Sequence, residues 1–107
     1  MTKIYLIRHA EAEGNLYRRI QGHWDGSITA LGLQQIDALA QRFRHEHIDA
    51  LYCSNLSRAR ATAEAITRYH DVPAVATPRL TEIRMGVWEG RAWGDVEHEF
   101  PEQMRYF

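Results

Sequence analysis

An uninterrupted apolar run at the start of the chain constrains the fold more than any other feature. Residues Ile4–Ile7 are all apolar, and Arg8 and His9 follow them directly. Continuous rather than alternating apolar residues are typical of a strand in a parallel sheet that is covered on both faces. We therefore predict a strand at Lys3–Arg8, buried on both faces. Ligands bind at the carboxyl ends of such strands, so Arg8 and His9 become candidate functional residues.

Helix and strand signals alternate along the rest of the chain. Thr29 is a predicted N-cap, and an apolar stripe of helical period follows it. Further predicted elements are a helix at Ala30–His45, a strand at Asp49–Ser54, a helix at Ser57–Tyr69, a strand at Pro73–Val75 and a helix at 95–100, with irregular segments at 9–28 and Pro78–Trp93. The alternation predicts an α/β fold with a mainly parallel sheet, and residues 1–107 are expected to lie in one domain.

Composition and charge disfavour several classes of protein. The chain has 107 residues, of which 45% are hydrophobic and 25% charged, as in ordinary globular domains. A net charge of −1 argues against nucleic-acid or anionic-membrane partners. No stretch resembles a signal peptide or reaches transmembrane length, so a cytoplasmic protein is the expectation. The single cysteine, Cys53, lies at the end of a predicted strand and is expected to be reduced and buried.

Polar clusters, most of which follow a predicted strand, share the chemistry of phosphate recognition. Arginine side chains present a planar fork to phosphate oxygens, and the helix N-terminus beside Arg58 adds unpaired N–H groups. Amide side chains supply neutral donors, and a glycine lets the backbone approach a ligand closely. The candidate site residues are Arg8, His9, Asn15, Gln21, Gly22, Arg58 and Glu82.

His9 is the candidate nucleophile. A neutral imidazole attacks phosphorus with one ring nitrogen, while the other needs a hydrogen-bond acceptor to fix the tautomer. Glu82 is the candidate donor of a proton to the leaving alcohol, and a nearby phosphate dianion would favour its protonated form. Glu11 and Glu13 compete with Glu82 for the role of proton donor, and Glu11 is expected to have a structural role.

The remaining histidines and tryptophans give weaker signals. His45 and His47 form an H-x-H pair without a third ligand in view, so neither a metal nor a cofactor is predicted. His23 is a candidate for the mouth of the pocket. Trp24 is the better candidate for a substrate wall, whereas Trp88 is expected to face the core.

Five segments resemble, in order, the motifs of the histidine phosphatase superfamily, which includes the cofactor-dependent phosphoglycerate mutases. The family patterns are R-H-G-E-x-x-x-N, Q-G-x-x-D, L-T-x-x-G, S-x-L-x-R-A-x-x-T-A and E-x-x-x-G-x-W-E-G, and they match Arg8–Asn15, Gln21–Asp25, Ile28–Gly32, Ser54–Ala63 and Glu82–Gly90. The resemblance implies a phosphoglycerate mutase-like fold of three layers, α/β/α, incomplete at the C-terminus.

The same resemblance implies a role for each site residue. His9 would be the phosphorylated nucleophile and Glu82 the proton donor. The phosphoryl group would be bound by Arg8, Asn15 and Arg58, and the substrate pocket would be lined by Gln21 and Gly22.

Two departures from the family pattern stand out. Ala10 replaces the usual glycine after the nucleophile. The family's second pocket histidine, in an H-G context well after Glu82, has no counterpart, because the only later histidine is His98 in another context. The chain is therefore expected to be the N-terminal portion of a larger enzyme, and an incomplete sheet would favour self-association.

The function expected from these residues is a phosphomonoester phosphatase that acts through a phosphohistidine on a small phosphorylated metabolite. Two alternatives stay open: a phosphoglycerate mutase, and a catalytically impaired fragment that only binds phospholigands. Leu16-Tyr17 lacks the W-N version of the loop motif that is usual in mutases of this type, which favours the phosphatase.

Overall fold

The computed structural model describes residues 1–107 and contains five α-helices and one sheet of two strands. The strands are β1 (Leu51–Cys53) and β2 (Ala74–Ala76), and the helices are α1 (Glu13–Leu16), α2 (Ala30–Phe43), α3 (Ser57–Thr67), α4 (Trp93–Glu99) and α5 (Pro101–Met104). Short 3₁₀ turns lie at Pro78–Leu80 and Gly86–Trp88. No helix combines the length and the apolar character needed to cross a membrane.

Helix α2 begins where the sequence predicts. The Thr29 hydroxyl accepts a hydrogen bond from the Gly32 N–H at 3.0 Å, which satisfies one free donor of the first turn. The same hydroxyl donates to a Glu11 carboxylate oxygen at 2.7 Å. Glu11 therefore has the structural role expected of it. The buried face of the helix follows the predicted stripe and consists of Gly32, Ile36, Ala40 and Phe43.

The two strands are parallel, as expected for an α/β fold, and α3 crosses between them. Tyr52 of β1 pairs with Val75 of β2. Helix α3 packs on both strands and on α2, and its small side chains allow close approach. Tyr52 is 63% exposed and Val75 46% exposed, so one face of the sheet is open. Cys53 is a buried free thiol, and burial raises its pKa.

The strand predicted at Lys3–Arg8 is wrong. The segment forms no backbone hydrogen bond, and Ile4 and Leu6 are 77% and 94% exposed. This segment and β1 border the same cleft, and no backbone hydrogen bond joins them as neighbouring strands. Tyr5 anchors the segment instead, with its ring edge-on to Phe43 at 5.0 Å between centroids. The apolar run is thus placed beside the sheet without entering it.

Candidate active site

The backbone around His9 is fixed by the residue that follows it. Ala10 is buried in a small cluster with Ile36, Ala40 and Ala65. Its N–H donates a hydrogen bond to the Thr62 hydroxyl of α3 at 2.9 Å. The position beside the candidate nucleophile is therefore held between α2 and α3, although the segment before it is exposed.

The ring of His9 has one nitrogen engaged and one without a hydrogen-bond partner in the protein. Its Nδ1 lies 2.7 Å from the carbonyl oxygen of Ala10. A carbonyl only accepts, so Nδ1 carries the proton in this contact and the neutral ring keeps a lone pair on Nε2. This is the tautomer that a histidine nucleophile requires.

Arg58 is a buried cation. Its side chain is 3% exposed and donates to the carbonyl oxygens of Gly22 at 2.8 Å and Trp24 at 3.0 Å. Burial lowers its pKa, and the carboxylates of Asp25 and Glu82 partly offset that effect. A guanidinium has five N–H donors, so donors remain for a ligand.

Two neighbouring clefts bring the predicted site residues together. The first cleft, of about 440 Å³, is bordered by His9 and Arg58. The second cleft, of about 450 Å³, is bordered by Asn15, Gln21 and Gly22. Both are also bordered by Arg8 and Glu82. All seven candidate residues therefore line one continuous region of the surface.

Among the three competing acids, only Glu82 borders the clefts. Its side chain is exposed and accepts a hydrogen bond from the Ile83 N–H at 3.0 Å. Its carbonyl oxygen accepts from the His23 ring Nε2 at 2.8 Å. His23 is not among the residues that border the two clefts, but its ring holds the backbone of Glu82, which borders both, so a place at the pocket mouth stays a prediction.

The amide side chains are held by the loop that carries them. Asn15 accepts a hydrogen bond from the Ala12 N–H at 3.0 Å and so caps α1. Gln21 lies against Gly14, where an added Cβ would come within 2.1 Å of the Gln21 Cγ. The buried Gln21 Oε1 has no partner within the protein. Gly22 has φ +50°, a conformation that glycine adopts at low cost.

Asp25 positions the helix that carries Arg58. Both of its carboxylate oxygens accept from the Ser57 N–H at 3.0 Å, and one also accepts from the Ser57 hydroxyl at 2.7 Å. A carboxylate at this end of α3 also suits the helix dipole. Sequence reasoning gave Asp25 no role of its own, although its place in the Q-G-x-x-D motif was a signal.

Glu89 ties the loop after Glu82 to the first long loop. It accepts hydrogen bonds from the backbone N–H groups of His23 at 3.0 Å and Met85 at 2.9 Å. These bonds hold the pKa of Glu89 below its ordinary value of 4.5. No role was predicted for Glu89 beyond its motif, because the contact partner lies 66 residues away.

The other weak sequence signals fall outside this site. No group of three or more His, Cys, Asp or Glu side chains is arranged to hold a metal ion, and His47 pairs with Asp49. Trp24 packs against Gly90 and is not among the residues that border the two clefts, so its role as a substrate wall stays a prediction. Trp88 packs against Phe100 with 5.7 Å between ring centroids.

The chain belongs to the histidine phosphatase superfamily (branch 1), whose family model matches residues 4–107. It is 43% identical over 91 residues to the probable phosphoglycerate mutase GpmB of Photorhabdus laumondii, covering 85% of the chain and 42% of that relative. It is 36% identical over 105 residues to phosphoserine phosphatase 1 of Hydrogenobacter thermophilus, covering 98% of the chain and 50% of that relative.

Solved structures carry the same fold. The structure of Bacillus stearothermophilus YhfR matches with a TM-score of 0.83 at 34% identity, covering 88% of the chain and 46% of that protein. The predicted phosphoglycerate mutase-like α/β fold class is therefore confirmed. The chain spans about half the length of the relatives that it matches.

Proposed function

We propose that this chain supplies the nucleophile and proton donor of a phosphomonoester phosphatase that acts on a small phosphorylated metabolite through a phosphohistidine on His9. The observation that carries the proposal is the 2.7 Å contact between His9 Nδ1 and the Ala10 carbonyl. It directs the Nε2 lone pair away from the backbone contact, in a cleft that Arg58 and Arg8 share. Phosphoryl transfer to a histidine needs a neutral nucleophile and cationic side chains that bind the phosphoryl oxygens.

In the first step, His9 Nε2 attacks phosphorus as the bond from phosphorus to the alcohol oxygen breaks. The guanidinium groups of Arg8 and Arg58 stabilise charge on the phosphoryl oxygens. The leaving oxygen takes a proton from the Glu82 carboxyl group, which borders the same cleft. The products of this step are an alcohol and a phosphohistidine.

In the second step, water attacks the phosphorus of the phosphohistidine. The Glu82 carboxylate takes a proton from that water, and the bond between Nε2 and phosphorus breaks. Inorganic phosphate leaves, and His9 returns to the neutral state. Glu82 thus ends the cycle protonated, as it began.

Substitution of the nucleophile tests this proposal. We expect His9→Gln to abolish both phosphate release from p-nitrophenyl phosphate and acid-labile labelling from a ³²P phosphomonoester, by about 10³-fold or more. The matched control is His98→Gln, since His98 is exposed and borders neither cleft. The readouts are released phosphate and protein-bound label.

Two results would contradict the phosphatase. Unchanged labelling of His9→Gln would place the intermediate elsewhere. Saturable binding of a phosphomonoester with neither label nor release would support the binding-only alternative.

A mutase is the second candidate, because the chain is 43% identical to a probable phosphoglycerate mutase. Transfer between glycerate positions that outpaces phosphate release, with a bisphosphoglycerate primer present, would favour the mutase.

A further inference from the structure

The main chain of Glu82 is held at a single point. Residues 81–85 lie between the two 3₁₀ turns and belong to no helix or strand. The Glu82 N–H makes no hydrogen bond, and the Glu82 carbonyl accepts only from the His23 ring Nε2, at 2.8 Å. A carbonyl oxygen only accepts, so Nε2 carries the proton. The candidate proton donor therefore has its backbone anchor on a side chain 59 residues earlier.

The other anchors of this loop lie on either side of Glu82. The Thr81 hydroxyl donates to the side-chain oxygen of Asn55 at 2.7 Å. The Met85 N–H donates to the Glu89 carboxylate at 2.9 Å. Between these two anchors, the imidazole contact is the one hydrogen bond that reaches the loop from another part of the chain. The position of Glu82 is thus set mainly by that contact.

His23 is itself fixed by the buried arginine of the site. The carbonyl groups before and after it, those of Gly22 and Trp24, accept from Arg58 at 2.8 and 3.0 Å. The His23 N–H donates to the Glu89 carboxylate at 3.0 Å, and the side chain is half-buried. One tripeptide therefore bonds on one side to a cation of the phosphoryl site and on the other side to the loop of the proton donor.

The two loops also touch beside His23. An added Cβ at Gly22 would lie 2.9 Å from the Ile83 carbonyl oxygen and 2.6 Å from Glu89 Oε1. Atoms of the second loop already occupy this space, so the loops cannot move closer together. Hydrogen bonds between the loops, among them that of the His23 ring, oppose movement apart or sideways.

We propose that His23 is a positioning residue whose ring fixes Glu82 relative to Arg58, so that the carboxyl group meets the leaving oxygen of the bound phosphomonoester. The proposal rests on the proposed function for the role of Glu82. A general acid acts only within hydrogen-bond reach of the atom that it protonates, and misplacement by about 1 Å costs up to about 10²-fold in rate. His23 is not among the residues that border the clefts, so it acts through Glu82.

Two substitutions of nearly equal shape separate the hydrogen bond from the bulk of the side chain. His23→Gln keeps an N–H donor near the position of Nε2, whereas His23→Met has a similar length and no donor. Rapid-quench labelling of the protein from a ³²P phosphomonoester isolates the first step. Glycerol 3-phosphate has an alcohol that needs a proton to leave, and p-nitrophenyl phosphate has a nitrophenolate that leaves without one.

We expect His23→Met to be labelled about tenfold more slowly by glycerol 3-phosphate, but less than about twofold more slowly by p-nitrophenyl phosphate. His23→Gln should recover most of the lost rate. Glu82→Gln should show the same dependence on the leaving group with a larger loss, of about 10²-fold or more. His45→Met is the matched control, because His45 is exposed, makes no hydrogen bond and does not border the clefts.

Hydrogen exchange tests the contact without catalysis. The N–H groups of Ile83 and Met85 should exchange at least about twofold faster in His23→Met than in the parent chain, and at the parent rate in His23→Gln. Equal losses with both substrates, or unchanged exchange in His23→Met, would overturn the role of His23 and leave the phosphatase untouched. A parent chain that neither substrate labels would overturn the proposed function, and exchange alone would then decide whether His23 fixes the loop.

Discussion

A single hydroxyl group, that of Thr62, connects the backbone next to His9 to the helix that carries Arg58. It accepts from the Ala10 N–H at 2.9 Å and donates to the Arg58 carbonyl at 2.8 Å. The side chain is 6% exposed, so water does not readily replace either bond. The sequence places Thr62 in a motif, but its spacing along α3 says nothing about a partner 52 residues earlier.

We predict that Thr62→Val lowers the free energy of unfolding by about 1–3 kcal/mol, because the buried Ala10 N–H then has no acceptor. Phosphate release should fall as well, since the backbone beside His9 loosens. Chemical denaturation and p-nitrophenyl phosphate turnover measure the two effects. Thr67→Val is the control, because the Thr67 hydroxyl bonds only to the Glu64 carbonyl. Equal stability of the two variants would contradict this account.

Elements whose signals are local were predicted well. Helix α2 begins after Thr29 because N-capping depends on residues within one turn. It ends at Phe43 rather than His45, where the Glu46 N–H turns back to the Phe43 carbonyl at 3.0 Å. The prediction of a strand at Lys3–Arg8 failed because a strand forms only by pairing with another strand. The apolar pattern of this segment carries no information about such a partner.

At the level of elements, we predict that Thr29→Ala destabilises the protein by about 1 kcal/mol or slightly more. The substitution removes the cap of α2 and also the bond from the hydroxyl to Glu11. Thermal and urea unfolding measure the change. The control is Ser27→Ala, an exposed serine in the same loop that makes no side-chain hydrogen bond. A Thr29→Ala protein as stable as the control would refute the capping role.

The whole molecule is less compact than its length suggests. The radius of gyration is 15.8 Å, against about 13 Å for a globular domain of this length. Only 17 of the 107 residues are buried. Apolar side chains are exposed on the first segment and on the open face of the sheet, among them Ile4, Leu6, Tyr52 and Val75. Such a surface favours association.

We predict that Leu6→Lys decreases self-association of this chain without lowering its melting temperature. Leu6 is 94% exposed, so the substitution adds charge to the apolar surface and removes no core contact. Sedimentation velocity over a range of concentrations measures the change. Leu33→Lys adds the same charge at a half-exposed position of α2 and should leave association as in the parent chain. Equal association of both variants with the parent would exclude this surface.

The sequence by itself determined the family, the α/β class, the start of α2 and the seven candidate site residues, all of which border the two clefts. These depend on local patterns or on motifs whose residue types suit one chemistry. Only the tertiary structure decided that Lys3–Arg8 stays outside the sheet and that the Ala10 carbonyl lies against His9 Nδ1. It also decided that the Arg19 guanidinium donates to the Gly90 carbonyl, whereas the Arg18 guanidinium has no partner within the protein. Each of these depends on which carbonyl or strand edge comes within bonding distance, which packing decides.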